Sequence, residues 1–416
     1  MKKILVLIAF LALMISLVSS CKNEAESAKN SDTIALKKGM WRAVLEVQDG
    51  KELPFIFEYR SDASMVIRNA KERIVVTDIS IKKDSISIQT PVFEGVFKGK
   101  IISENLIKGN FIKASLDRVM SFEMNFGDVD RFNALHKPSQ NVGGSWETVF
   151  SSESDDDRYI AKGIFQQKGN EVTGTFRTTT GDYRYLEGVM DGDLMRLSTF
   201  DGAHAFLFEA TVSDSTMTGV FYSGNHWQEP FVAKRNENYE LPSEESLTYL
   251  KEGYDKFAFS FPDSNGELIS LSDERYKDKV VIIQIMGTWC PNCLDETKYY
   301  AQFYNSYKNE DIEFVALAFE YAKTEEKAFL AINRLKEIIG VPYPILLAQY
   351  GTSNKKKANE KLPMLNHILS YPTTIFIDKR GTVRKIHTGF NGPATGGDYV
   401  EFKQEFEGFI EDLLGE

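Results

Sequence analysis

The residues able to do covalent chemistry are few and lie almost entirely in one place. Of the 416 residues only 3 are cysteines, at positions 21, 290 and 293, so each has to be assigned from its own surroundings. Two of them stand in Thr288-Trp289-Cys290-Pro291-Asn292-Cys293-Leu294-Asp295-Glu296. Cysteines at this spacing at the start of a helix share one face and can bond to each other. The helix N-terminus supplies partial positive charge and unpaired N–H groups, which favours ionisation of the leading thiol. A thiolate is the attacking species in disulfide exchange, so Cys290 is expected to attack and Cys293 to resolve the resulting mixed disulfide. Pro291 suits an early helical position, where a missing N–H is not needed.

Other uses of the pair fit less well. A structural zinc site needs two more ligands, and this part of the chain offers only His367 and His387, with no second Cys-x-x-Cys. An inert disulfide remains open, although so small a loop constrains the unfolded chain little. A peroxide-reducing cysteine would follow a Pro-x-x-x-Thr-x-x-Cys pattern, which Ile283, Gly287 and Cys290 do not reproduce. No metal and no cofactor is expected.

The elements that must hold the pair follow from periodicity. Lys279 to Met286 (KVVIIQIM) and Glu313 to Phe319 (EFVALAF) are continuous apolar runs, as expected of strands buried on both faces. Between and after them come helical patterns. Thr324 with Glu325 and Glu326 reads as a capped helix start that Gly340 ends, and Tyr399, Phe402, Phe406, Phe409 and Leu413 form one face of a terminal helix. Strand and helix in alternation imply an α/β layer with a mixed sheet.

Residues 37–236 read differently, as short alternating runs broken by Gly, Asp, Asn and Ser, the pattern of half-buried antiparallel strands. Ile79/Ile81 and Ile86/Ile88 flank Lys82-Lys83-Asp84 and predict a hairpin. Trp41 recurs as Trp146, Glu94-Gly95-Val96 as Glu187-Gly188-Val189, and Ile107 to Phe111 (IKGNF) as Met217 to Phe221 (MTGVF), with an internal echo at Val172 to Phe176. Two related antiparallel β units are implied, each a sandwich or barrel so that edges are not left open. The region offers little chemistry: His136, His204 and His226 are scattered, and Glu153 to Asp157 reads as a solvated loop rather than a calcium site. A binding cleft or a dimer surface would be compatible with this region, and the sequence shows neither.

The N-terminus carries a basic tip at Lys2 and Lys3, an apolar run from Ile4 to Val18, and Ser19-Ser20-Cys21. This is the form of a secretory signal, too short to span a bilayer comfortably. Val18-Ser19-Ser20-Cys21 resembles the lipobox of bacterial lipoproteins, which implies a diacylated Cys21 on a membrane surface; each buried CH₂ adds about 0.8 kcal/mol. An ordinary signal peptide with a coincidental cysteine is the alternative. The expected organisation is therefore signal peptide 1–20, flexible tether 21–36, β units at 37–136 and 143–236, a linker at 237–254 that is polar enough for a connecting segment or short helix, and an α/β unit at 255–416. With 49 basic against 60 acidic residues and a net charge of −11, nucleic acid is an unlikely partner, because its binding is dominated by basic contacts.

DSNGELISLSD before the first core strand, GTWCPNC, SYPTTIFIDKRG and GFNGPATG before the last helix occur in one order over residues 255–414. In this the segment resembles the TlpA/ResA type of thioredoxin-fold domain. The resemblance implies a cis-proline at Pro372 in Ser370-Tyr371-Pro372-Thr373, facing the cysteines, with Trp289, Pro291, Tyr371 and Pro372 lining the substrate side; a trans proline opening a strand is the alternative. It also implies a proton-shuttling role for Glu296, one turn after Cys293, against the alternative of a solvated helix-face carboxylate. Thioredoxins carry a buried Asp where this chain has Gln284, which cannot take up a proton, so the relay would fall on Glu296 or on water. The function implied is a lipid-anchored thiol–disulfide oxidoreductase of the cell envelope, facing the periplasm or exterior, reducing protein disulfides and drawing electrons from a membrane thiol-transfer protein. The competing expectation is a surface binding lipoprotein whose thioredoxin-fold module is not catalytic.

Overall fold

The computed structural model describes residues 35–243, 247–307 and 311–416. The expected signal peptide, Cys21 and nearly all of the tether lie outside the described residues. Among the described residues no helix is long and apolar enough to cross a membrane.

The first β unit is a nine-stranded antiparallel meander: β1 (Gly39–Glu46), β2 (Glu52–Tyr59), β3 (Met65–Asn69), β4 (Glu72–Val76), β5 (Ile79–Lys82), β6 (Ser85–Gln89), β7 (Val96–Ser103), β8 (Leu106–Lys113) and β9 (Arg118–Phe126). Their order across the sheet is β4-β3-β2-β1-β9-β8-β7-β6-β5. The β5–β6 hairpin pairs Ile79 with Ile88 and Ile81 with Ile86, as the alternation around Lys82 to Asp84 predicts. Alternating inward residues from both halves of the sheet, such as Phe57 and Ile67 on one side and Ile88 and Phe97 on the other, meet in a single core. The sheet is therefore strongly curled, yet its end strands β4 and β5 do not pair.

The second unit comprises β10 (Gly144–Phe150), β11 (Tyr159–Lys168), β12 (Glu171–Thr178), the short β13 (Gly181–Asp182), β14 (Leu186–Asp191), β15 (Leu194–Phe200), β16 (Ala205–Val212), β17 (Thr216–Ser223) and β18 (Trp227–Arg235). Here β11 pairs with both β10 and β12, and the ladder runs on through β14 to β18 and back to β10, closing a barrel. Its interior is filled by Phe150, Phe176, Phe208 and Phe231 among others. The two β units share a core, because Phe200, Leu207 and Tyr222 of the barrel pack into the curled sheet, with Phe200 stacked 4.6 Å from Phe55.

The repeat is visible in detail. Trp41 and Trp146 each sit third in the opening strand, are fully buried, and donate their indole N–H to the carbonyl four residues earlier, Lys37 and Val142, at 2.9 Å in both cases. The Ile107–Phe111 and Met217–Phe221 echoes fall on β8 and β17, which hold the same place relative to those tryptophan strands. The Glu-Gly-Val echo does not: it opens β7 in one unit and lies in β14 of the other, at unrelated places in the two ladders.

The C-terminal α/β unit has a small hairpin, β19 (Ser260–Pro262) with β20 (Leu268–Ser270), and a mixed sheet of β21 (Val280–Met286), β22 (Ile312–Phe319), β23 (Ile345–Gln349), β24 (Thr373–Ile377) and β25 (Val383–Thr388) in the order β23-β22-β21-β24-β25. Every residue of β21 is buried, so it reads in sequence as an uninterrupted apolar run. The helices are α1 (Pro291–Tyr307), α2 (Glu325–Ile339), α3 (Lys355–Lys361) and α4 (Gly397–Gly415). The Thr324 side chain caps α2 by accepting from Lys327 N, and Gly340 ends it with φ of +72°. Two antiparallel β units followed by a thioredoxin-like α/β unit is the fold class that the sequence implies. The approach at 247–254 makes one bridge, Leu250 with Leu365, and shows no helix among its described residues.

Candidate active site

Strand β21 ends at Met286, the chain turns through Gly287 to Trp289, and α1 begins at Pro291, so Cys290 falls on the helix threshold and Cys293 in its first turn. The two form a disulfide with Cα atoms 5.2 Å apart. Cys293 N donates to Cys290 Sγ at 3.2 Å, which is the helix-terminal N–H aimed at the leading sulfur. Cys290 is 7 % exposed and Cys293 fully buried, the asymmetry needed for one sulfur to meet a partner and the other to act from behind it.

Tyr371-Pro372 is a cis peptide, and the Tyr371 carbonyl oxygen lies 3.5 Å from Cys290 Sγ. Trp289 donates its indole N–H to Phe319 O at 2.9 Å and packs edge-on against Tyr371, ring centroids 5.5 Å apart. The structure thus brings Trp289, Cys290, Pro291, Tyr371 and Pro372 together around the sulfur.

Glu296 lies beneath the pair, completely buried. Gln284 Nε2 donates to it at 2.8 Å, and the hydroxyls of Tyr300 and Thr374 donate at 3.1 and 3.0 Å. Burial pushes its pKa up to about 7, against these hydrogen bonds. Gln284 Nε2 also lies 3.4 Å from Cys293 O, linking carboxylate and cysteine backbone. The site therefore holds a carboxyl that exchanges a proton near neutrality, on the helix rather than on the preceding strand.

A second buried carboxyl, with no motif around it, stands beside the turn. Glu320, at the end of β22, accepts from Thr288 N and Thr288 Oγ1, both at 2.7 Å, and so fixes the turn leading into Cys290. Burial raises its pKa to about 7. The only signal was an acid directly following the apolar run EFVALAF.

The barrel also reaches this site, through residues with no legible motif. Arg184, buried between β13 and β14, donates to Pro291 O at 3.1 Å and pairs with Asp295, both on α1. The same guanidinium pairs with Glu72 of the first sheet and, at 3.2 Å, with Asp201 of the barrel. One cation therefore ties all three units at the start of α1. Asp182 accepts from Gly392 N and Arg184 N, each at 2.6 Å, and burial lifts its pKa to about 6. Asn292 Nδ2 donates to Asp182 O at 3.1 Å, Ser370 Oγ to Thr180 O at 3.2 Å. Gly181 adopts φ of +145° where a Cβ would strike Asn292.

Between barrel mouth and cysteines lies an open cleft of about 1010 Å³ with Cys290 in its wall. His204 and His226 line it, whereas His136 pairs with Asp191 elsewhere. Asp156 and Asp157, from the acidic run, stand exposed at its rim. Among the described residues no group of three His, Cys, Asp or Glu is placed to hold a metal ion.

Residues 253–400 match the family model named Redoxin. The chain is similar to "Thiol-disulfide oxidoreductase ResA" of Bacillus subtilis, 29% identical over 151 residues that cover 36% of this chain and 75% of that protein. It is also similar to "Thioredoxin-like protein YneN" of Bacillus subtilis, 29% identical over 140 residues, 34% of this chain and 73% of that one. A solved thiol-disulfide oxidoreductase from Bacteroides fragilis overlays on 36% of this chain and 99% of its own, at 20% identity and a TM-score of 0.27.

Proposed function

We propose, from the premise that this chain is a ResA/TlpA-like member of the thioredoxin superfamily with its Redoxin domain at residues 253–400, that it is an envelope enzyme reducing protein disulfides through Cys290 and Cys293. The observation that carries this reading is the arrangement around one sulfur: a Cys290 at a helix N-terminus that is 7 % exposed in the wall of a cleft, a fully buried Cys293, and a carboxyl titrating near neutrality beneath them.

In the reduced enzyme the Cys290 thiolate attacks a substrate sulfur. The substrate S–S bond breaks, a Cys290–substrate disulfide forms, and the first substrate sulfur leaves and takes a proton. Cys293 then gives its proton to the Glu296 carboxylate and attacks Cys290 Sγ, and the second substrate sulfur leaves as a thiolate that takes up a proton in turn as Glu296 gives its own back to solvent. Two electrons have passed to the substrate, and the enzyme is left as the Cys290–Cys293 disulfide. A membrane dithiol donor returns two electrons and two protons. No His or Lys lies between the cysteines to push the pair towards strong oxidation, which supports the reductive direction.

In an insulin-reduction assay driven by dithiothreitol, Cys290→Ser is expected to fall to the dithiothreitol background; activity equal to wild type overturns the reading. The lipid anchor rests on Val18-Ser19-Ser20-Cys21. Cells fed labelled palmitate are expected to label wild type and not Cys21→Ser, and equal labelling of both removes Cys21 as the attachment point.

A further inference from the structure

We propose that the cleft between the barrel mouth and Cys290 is the substrate-docking site, and that it takes an extended polypeptide segment bearing an aromatic or branched aliphatic side chain beside its disulfide. This rests on the oxidoreductase reading and names the substrate class of the same cysteine pair.

The cleft, about 1010 Å³, is continuous with the reactive sulfur, and it matches or exceeds the size of ordinary ligand sites. Its barrel wall presents Tyr159, Phe206, Phe221 and Trp227, and its α/β wall Trp289 and Tyr371. Trp227 is 44 % exposed, so an aromatic face stands open in the wall beside these rings and extends their apolar surface. At the floor, Glu229 accepts from Ser151 and from Tyr159, both at 2.7 Å, so polar groups capable of meeting a peptide backbone stand among the rings.

The charges argue against a small anionic disulfide. Apart from histidines, the cations among the lining residues are Arg158 and Lys355. Lys355 Nζ already donates to the Leu369 carbonyl, and Arg158 adjoins Asp156 and Asp157 at the rim. Nothing in the cleft offers paired cations to a tripeptide disulfide with several carboxylates.

The walls are also fixed. Arg184 and Asp182 bind the barrel to α1 and to Gly392, and Gly389 packs so closely on Thr180 that a Cβ would overlap its backbone. A globular surface cannot lie flat on a Cys290 that is 7 % exposed behind such walls. One extended chain, advancing about 3.3 Å per residue, can.

The test uses the full-length protein reduced by dithiothreitol and a set of peptides of equal length. Each carries one cysteine in a mixed disulfide with thionitrobenzoate and differs only in the neighbouring residue: Phe, Leu, Asp or Lys. Cys290 attacks the mixed disulfide, Cys293 resolves the adduct, and both substrate thiols are freed. The Phe and Leu peptides are expected to exceed the Asp peptide in kcat/KM by about tenfold or more, the scale of one buried apolar side chain. Trp227→Ala is expected to lower that Phe/Asp ratio several-fold, and Trp227→Phe to restore most of it. Equal kcat/KM across the peptides, a preference for oxidised glutathione, or a ratio untouched by Trp227→Ala overturns the docking proposal and leaves the oxidoreductase reading standing. If wild type reduces no substrate faster than Cys290→Ser does, both fall.

Discussion

The curled sheet and the closed barrel open with the same device, a buried tryptophan tied to the carbonyl four residues before it, but they meet the catalytic unit in different ways. The barrel approaches from the front: Thr180 to Arg184 press on α1, on Ser370 and on Gly392, next to the cysteines. The sheet sends only Glu72 to that front, onto Arg184, and otherwise approaches from the side. Its Val92 and Phe93 pack into the α/β core, Phe93 O accepts from Arg334 at 3.2 Å, and the Glu94 charge is felt at Glu320. Closure explains the difference. A barrel has no free edges, so its end can be given over to loops that face a site. The sheet leaves its two ends unpaired, and its core is completed by Phe200, Leu207 and Tyr222 of the barrel. One unit shapes the cleft while the other braces it.

Two buried arginines put that division to the sharpest test. Arg131 joins the two β units, donating to Pro54 O and Ser198 Oγ at 3.2 Å each and pairing with Glu187 at 3.2 Å. Arg184 joins both β units to α1. Replacing either by Met strands buried partners, at a cost of about 3–5 kcal/mol in urea unfolding. Only Arg184→Met is expected to reach the cysteines. Losing a cation beside α1, and leaving Asp295 with only the half-exposed Lys298 as a partner, disfavours the thiolate and so the reduced state. The midpoint potential should become more negative by on the order of 30 mV, the equivalent of ~1.4 kcal/mol for two electrons. A potential that moves equally in both variants, or in neither, removes the distinction between the front and side contacts.

The buried carboxyls sharpen the same contrast through pH. Glu296 and Glu320 hold their protons to about pH 7 in the folded chain, against 4.5 ordinarily, and Asp182 to about 6 against 3.8. In each case the folded state binds a proton that the unfolded state has lost, so stability is full below the ordinary value and falls as pH rises through the folded one. For Glu296 the loss is on the order of 3 kcal/mol between about pH 4.5 and 7. Asp201, held low by His204 and Arg184 against its burial, adds stability that is complete above about pH 4 and does not mask this window. Urea midpoints should therefore decline from pH 5 to 7.5. Glu296→Gln should flatten part of that decline and match or exceed wild-type stability at pH 8. Glu94→Gln should lower the Glu320 titration seen by NMR and leave Glu296 alone, because the Glu94 charge acts on Glu320 and not on Glu296. A flat wild-type profile, or a Glu296 shift in Glu94→Gln, contradicts the assignment.

How much of this was legible follows from what kind of signal each part leaves. A strand buried on both faces is written as an apolar run, and β21 and β22 read directly. Cys290, Cys293 and the strings around Pro372 are local motifs whose chemistry depends on residues a few positions apart. The repeat is legible at Trp41 and Trp146 because each is buried at the third position of its opening strand and donates to the carbonyl four residues before it. Glu-Gly-Val misled because three residues suit the edge of many strands. Arg184, Asp182, Glu320 and the cleft left almost nothing to read. A buried Arg–carboxylate cluster gathers Glu72, Asp201 and Asp295 from three units, and in sequence each is an ordinary surface residue. The scattered His204 and His226 come to one cleft because β16 and β17 pair Phe206 with Ser223.

The finest comparison concerns one glycine in each unit. Gly109 in β8 and Gly219 in β17 stand at matching places in the echoed motif, and both lie against the backbone of the strand beside them. A Cβ at Gly109 would overlap the Lys98 carbonyl oxygen, and one at Gly219 the Glu209 carbonyl oxygen. Alanine must therefore push the strands apart, and overpacking of this kind costs about 1–3 kcal/mol. The curled sheet has two free ends and can spread the displacement over β4 and β5, whereas a closed barrel has to stretch its whole ring. Gly219→Ala is then expected near the top of that range and Gly109→Ala near the bottom, compared by urea unfolding of the full chain at one pH. Amide exchange should confirm where the strain goes, rising at β4 and β5 in the first variant and around the barrel in the second. Equal costs, or a larger one in the sheet, mean that the unpaired ends are held as firmly as the closed ring and that closure is not what separates the two units.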